Sequence, residues 1–129
     1  MTFAYEVELS PKSLDRYEAI LRFYKSQRDV TQVFWLIDST DIKDQIIRAK
    51  NCIRDESQNF HVFVELEDYL KNGWDANIAN ERSENLGSIR QKYQGLCGDL
   101  IRDLLGTLRG NSTVTVHLRN QKVLGKSRR

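Results

Sequence analysis

Glu6 and Glu8 stand two apart in the segment Phe3-Ala4-Tyr5-Glu6-Val7-Glu8-Leu9. The segment alternates and is β-prone, so it reads as a strand, and a strand sends residues two apart to the same side. Both carboxylates then share one face, while Phe3, Tyr5, Val7 and Leu9 take the other and enter a core. Adjacent like charges repel and call for a cation. A divalent ion such as Mg²⁺ or Mn²⁺ takes oxygen ligands of this kind. Held at a strand end, such an ion suits phosphodiester cleavage, where it activates water and offsets charge on the phosphate. Lys12 and Arg16 follow in the first turns of the next helix, placed to touch a scissile or neighbouring phosphate. The plainer alternative is a solvated edge strand whose two acids pair with Lys12 and Arg16.

Other chemistry has little support. No Gly-rich phosphate loop, GxSxG turn or readable Cys–His pair occurs. His61 alternates with Phe60 and Val62 and reads as a satisfied, partly buried histidine rather than a ligand or base. Trp35 lies in an apolar strand and reads as core, whereas Trp74 either plugs the core or faces a partner. Asp38 ends a strand and is a candidate third acid, although Asp38-Ser39-Thr40-Asp41 reads more simply as a helix cap. Cys52 and Cys97 sit in no CxxC pair and have no ligand spacing to His61 or His117. Both are expected as small buried side chains in a reducing compartment, which points to the cytoplasm.

The elements that must position these residues follow from periodicity. Ser10-Pro11 is expected to start a helix, with Ser10 as N-cap and Pro11 at the first helical position. That helix runs to about Gln27, with Leu14, Tyr17, Leu21 and Tyr24 on its core face. Residues 32–37 form a nearly continuous apolar run, the mark of a strand buried on both faces. A second helix spans roughly 40–55, with Ile42, Ile46, Ala49 and Ile53 on one face. Phe60 to Leu66 is a third strand, and Glu67 to Asn72 a short helical turn closed by Gly73. Residues 75–92 are polar and read as an exposed helix or a long loop. Residues 93–109 carry an amphipathic leucine pattern, and Thr113 to Leu118 a last strand. The order β-α-β-α-β implies an α/β fold with right-handed crossovers and parallel pairs.

At 129 residues the chain is expected to be one α/β domain or a fragment of one. Residues 1–74 form its core, 75–118 a helical region with the last strand, and 119–129 a tail. With 40% hydrophobic and 29% charged residues, it has enough apolar material for a core. No run approaches the roughly 18–20 apolar residues that cross a bilayer, so no membrane partner is expected. The tail carries Arg119, Lys122, Lys126, Arg128 and Arg129 and no acid, which leaves −3 on residues 1–117 of a chain with net charge +2. A basic tail on a mildly acidic body reads either as an electrostatic foot for nucleic acid or as a solvated terminus. No aromatic interrupts these bases to stack on a nucleobase.

The stretch Tyr5-Glu6-Val7-Glu8-Leu9-Ser10-Pro11-Lys12-Ser13-Leu14-Asp15-Arg16-Tyr17, with Ile20-Leu21, Tyr24 and the Val33–Ile37 strand, resembles the replication-relaxation family. More specifically it resembles the catalytic domain of the MOB-C class of plasmid mobilisation relaxases. Phe63–Gly73 is similar to a later segment of the same family, and the likeness covers roughly residues 3–74. The resemblance implies a restriction-endonuclease-like fold of the PD-(D/E)xK type, a mixed central sheet flanked by helices. It further implies metal-dependent nicking of plasmid DNA at a transfer origin, with Glu6 and Glu8 as Mg²⁺ or Mn²⁺ ligands. Lys12 would be the basic residue near the phosphate, supported by Arg16 and Tyr17. Two departures stand out. The family's sheet takes a further Asp from a strand ahead of the Glu-x-Glu strand, and here only five residues precede Glu6, so that strand is expected to be missing. Glu8 also stands where the usual motif has Lys. Three roles therefore stay open: a DNA nickase or its core, a non-catalytic DNA-binding accessory protein of a mobile element, or an interaction module that dimerises through the edge strand near residues 3–9.

Overall fold

The computed structural model describes residues 2–94. The calls on residues 95–129, including the leucine-rich helix, the last strand, Cys97 and the five tail bases, lie outside the described residues. Strand β1 is Thr2–Glu8, helix α1 Leu14–Lys25, strand β2 Val30–Ile37 and helix α2 Thr40–Cys52. Strand β3 is His61–Glu65 and helix α3 Leu66–Asn72, followed by a 3₁₀ turn at Gly73–Asp75. Strands β4, Asn77–Ala79, and β5, Asn85–Ser88, form a hairpin.

The strands make one mixed five-stranded sheet in the order β1-β2-β3-β4-β5. β1, β2 and β3 are parallel, with Glu6 opposite Trp35 and Trp35 opposite Phe63. β4 and β5 run antiparallel to their neighbours. The α/β reading of residues 1–74 therefore holds at the level of element order and sheet type.

Both faces of the sheet are covered, as parallel strands require. On one face Tyr17, Ile20, Leu21 and Tyr24 of α1 and Ile42, Ile46 and Ala49 of α2 pack on Ala4, Val33, Trp35, Ile37 and Phe63. On the other, Phe3, Tyr5, Phe34, Leu36, Val62 and Val64 meet Ala76, Ile78 and Ile89, with Leu66, Tyr69 and Tyr93 alongside. The alternation in β1 thus sends both of its faces into packed layers, and Glu6 and Glu8 point beneath the helices.

Four expectations need correction. The N-cap of α1 is Ser13, whose hydroxyl accepts from the Arg16 N–H at 3.3 Å, so Ser10, Pro11 and Lys12 form the turn before the helix. α2 begins after Ser39, and Asp38 is not its cap. Residues 77–79 and 85–88 are strands, because Ile78 supplies a buried anchor too short to show as periodicity. Cys52, at the last position of α2, is exposed.

Candidate functional site at the end of strand β1

In a right-handed β-α-β unit the helix returns antiparallel to the strand it follows. The end of β1 therefore meets the start of α1, and the middle of β1 meets a later turn. Glu8 Oε1 lies 2.6 Å from Lys12 Nζ. The Tyr17 hydroxyl hydrogen-bonds Glu8 and accepts the Lys12 backbone N–H at 3.1 Å. Two turns further on, the Tyr24 hydroxyl donates to Glu6 Oε2. Tyr17 and Tyr24, seven apart on one helix face, thus serve the two acids two apart on the strand.

Burial separates the members of this set. Glu6 and Glu8 are both 0% exposed, whereas the Lys12 side chain keeps 19% of its surface in solvent. Burial, the largest cause, pushes the Tyr17 phenol far above its ordinary value; the Lys12 N–H works against it and the Glu8 carboxylate adds to it. Tyr17 therefore stays protonated and able to donate. Glu8 and Lys12 lie at the carboxyl end of β1, the edge strand of the sheet. Asp38 sits beside them: its backbone N–H donates to the Glu8 carbonyl at 3.1 Å, and its side chain is exposed.

The structure therefore brings Glu6, Glu8, Lys12 and Tyr17 to one locus. Arg16 is exposed on α1 and forms no ion pair among the described residues. Arg119, Lys122, Lys126, Arg128 and Arg129 lie outside the described residues. Tyr24 is a partner that the sequence reading placed only in the core; its spacing from Tyr17 was the signal.

Glu6 and Glu8 are equally enclosed, Glu6 with the Tyr24 hydroxyl on one oxygen and Glu8 with the Lys12 ammonium and the Tyr17 hydroxyl, so a Mg²⁺ or Mn²⁺ ion at Glu8 would take the place of the Lys12 ammonium. Among the described residues no group of three His, Cys, Asp or Glu side chains is arranged to hold a metal.

A second polar line crosses the same layer. Trp35 Nε1–H donates to His61 Nδ1 at 3.0 Å, so the proton of a neutral His61 sits on Nε2, 3.9 Å from Asp55 Oδ2. Burial lowers the His61 pKa to about 4; Asp55 opposes the shift and Lys50 adds to it. His61 is thus a neutral core residue, buried more deeply than its setting in the sequence suggests, and its Nε2 has no hydrogen-bond partner among the described residues. Compared with protein-family models, curated proteins and solved structures, the chain matches none.

Proposed function

We propose that this chain is the relaxase-like core of a DNA-processing protein of plasmid mobilisation, which works on a DNA phosphodiester at the carboxyl end of β1. The observation that carries the reading is the 2.6 Å contact between Glu8 and Lys12, the acid and base of the quoted motif, with Lys12 partly exposed. In this reading Lys12 contacts a phosphate oxygen as a point charge. Tyr17 fixes Glu8, and Glu6 belongs to the scaffold through Tyr24. Glu8 would hold a Mg²⁺ or Mn²⁺ ion, which would supply charge to offset the phosphate. The restriction-endonuclease-like character of the fold belongs to this proposal, supported by the mixed sheet and by the site's place at a strand end.

The test is conversion of a supercoiled plasmid carrying a transfer origin to open circle in Mn²⁺. Lys12→Met is expected to slow nicking by about 10²-fold, the scale of losing one preorganised charge, and Lys12→Arg to restore part of it. Equal rates for wild type and Lys12→Met would overturn the assignment. One observation favours a second reading, a non-catalytic DNA-binding scaffold: the Lys12 ammonium already neutralises Glu8. A shifted DNA band with no open circle in any divalent metal would select it.

A further inference from the structure

The turn between β4 and β5 runs Asn80-Glu81-Arg82-Ser83-Glu84-Asn85 and brings no apolar side chain to either core layer. It is closed on itself. Asn80 Oδ1 accepts the backbone N–H groups of Arg82 and Glu84 at 3.0 and 2.9 Å, and Asn80 Nδ2 donates to Glu84 Oε1 at 2.7 Å. Arg82, Ser83, Glu84 and Asn85 are exposed. Beyond the hairpin, among the described residues, the turn hydrogen-bonds only to two lysines of α2. Those lysines stand seven apart on one helix face, and both are buried, Lys50 at 5% and Lys43 at 7% exposure. With no apolar anchor of its own, the turn can leave α2 without taking the core apart.

The two grips differ. Lys50 gives its ammonium to Glu81 Oε2 and to the Ser57 carbonyl, both at 2.6 Å. Lys43 gives its ammonium to the Ser83 hydroxyl at 3.0 Å and has the face of the Phe63 ring 5.1 Å from it. Taking one partner from a buried ion pair leaves an uncompensated charge, whereas a bond to a neutral hydroxyl is worth less. Ser83 also holds φ at 63°, in the left-handed region that a serine enters at a cost. The Glu81 end of the turn is therefore the strong grip and the Ser83 end the weak one. Lys43 and Ser83 line a cleft of about 660 Å³ at the carboxyl ends of β2 and β3, and Glu81 and Lys50 lie outside it. Asn85, at the far end of the turn, lines the same cleft.

We infer that the β4–β5 turn is a latched flap: Glu81 on Lys50 is its latch, and release of the latch swings residues 80–85 off α2 and opens the cleft on its Ser83 side. The strands on either side of the turn stay in place, because Ile78 and Ile89 are anchored in the second core layer. The flap is separate from Glu8 and Lys12 and stands whether or not the chain nicks DNA.

Spin-label distances on the full chain test this. The labels sit on the exposed positions Arg48→Cys of α2 and Arg82→Cys of the turn, with Cys52→Ser and Cys97→Ser removing the native thiols. One short distance is expected to dominate with Glu81 in place. Glu81→Gln keeps the shape and removes the charge, and is expected to raise the population at longer distance by about tenfold. Ser83→Ala removes the weak grip and is expected to raise it by less than about threefold. Should Glu81→Gln fail to fold, urea applied to the labelled chain with Glu81 intact decides. The longer distance is then expected to appear while the amides of β3 are still protected from hydrogen exchange. A distance distribution unmoved by Glu81→Gln, a larger response to Ser83→Ala than to Glu81→Gln, or a longer distance that appears only as β3 loses protection would each overturn the inference.

Discussion

Two acids that look equivalent in the sequence divide once the helix above them is in place. Glu8 meets the turn that carries Lys12, and Glu6 meets Tyr24 in the middle of α1. Tyr24→Phe removes the donor from a buried carboxylate and is expected to cost about 1–3 kcal/mol in denaturant unfolding. A loss below about 0.5 kcal/mol would show that Glu6 does not depend on it. His61 gives a prediction with a sign. Its folded pKa of about 4 lies below the unfolded value, so the unfolded chain binds more protons as pH falls. Its contribution is complete above about pH 6.5 and is lost toward pH 4, with an upper scale of about 3 kcal/mol. His61→Gln, which keeps an acceptor for Trp35, is expected to flatten stability over that window; an unchanged pH slope would contradict a neutral buried histidine.

At the scale of elements, β1, β2, β3 and the helices between them were legible because each buries a stripe or face long enough to impose its period. The start of α1 was not, because Ser10-Pro11 and Ser13 both satisfy local capping chemistry. Geometry decides for Ser13: the turn from Ser10 to Lys12 lets Lys12 fold back onto Glu8. Ser13→Ala is expected to cost about 1 kcal/mol in thermal or denaturant unfolding, and no change would return the cap to Ser10. Gly73 was legible as the end of α3. Its φ of 56° and ψ of −128° lie where a side chain is strained, although a Cβ there would touch nothing. Gly73→Ala is accordingly expected to destabilise by about 1–3 kcal/mol through the backbone alone. The hairpin of β4 and β5 and the partners of Lys43 were invisible because each rests on contacts made by one or two residues from distant segments.

For the whole molecule, the sheet gathers the carboxyl ends of β1, β2 and β3 at one edge, so Glu8 and Lys12 neighbour the exposed Asp38. The sequence showed the same-face acids but not what lay over them, since alternation fixes a side and not its cover. The central claim is that Glu8 acts on DNA while Glu6 holds the scaffold, and paired plasmid nicking by Glu6→Gln and Glu8→Gln in Mn²⁺ tests it most directly. Glutamine at position 6 still accepts from Tyr24, so Glu6→Gln is expected to nick within about threefold of wild type, and Glu8→Gln to lose about 10²-fold or more. Equal losses in the two variants, or nicking by Glu8→Gln at the wild-type rate, would contradict the division.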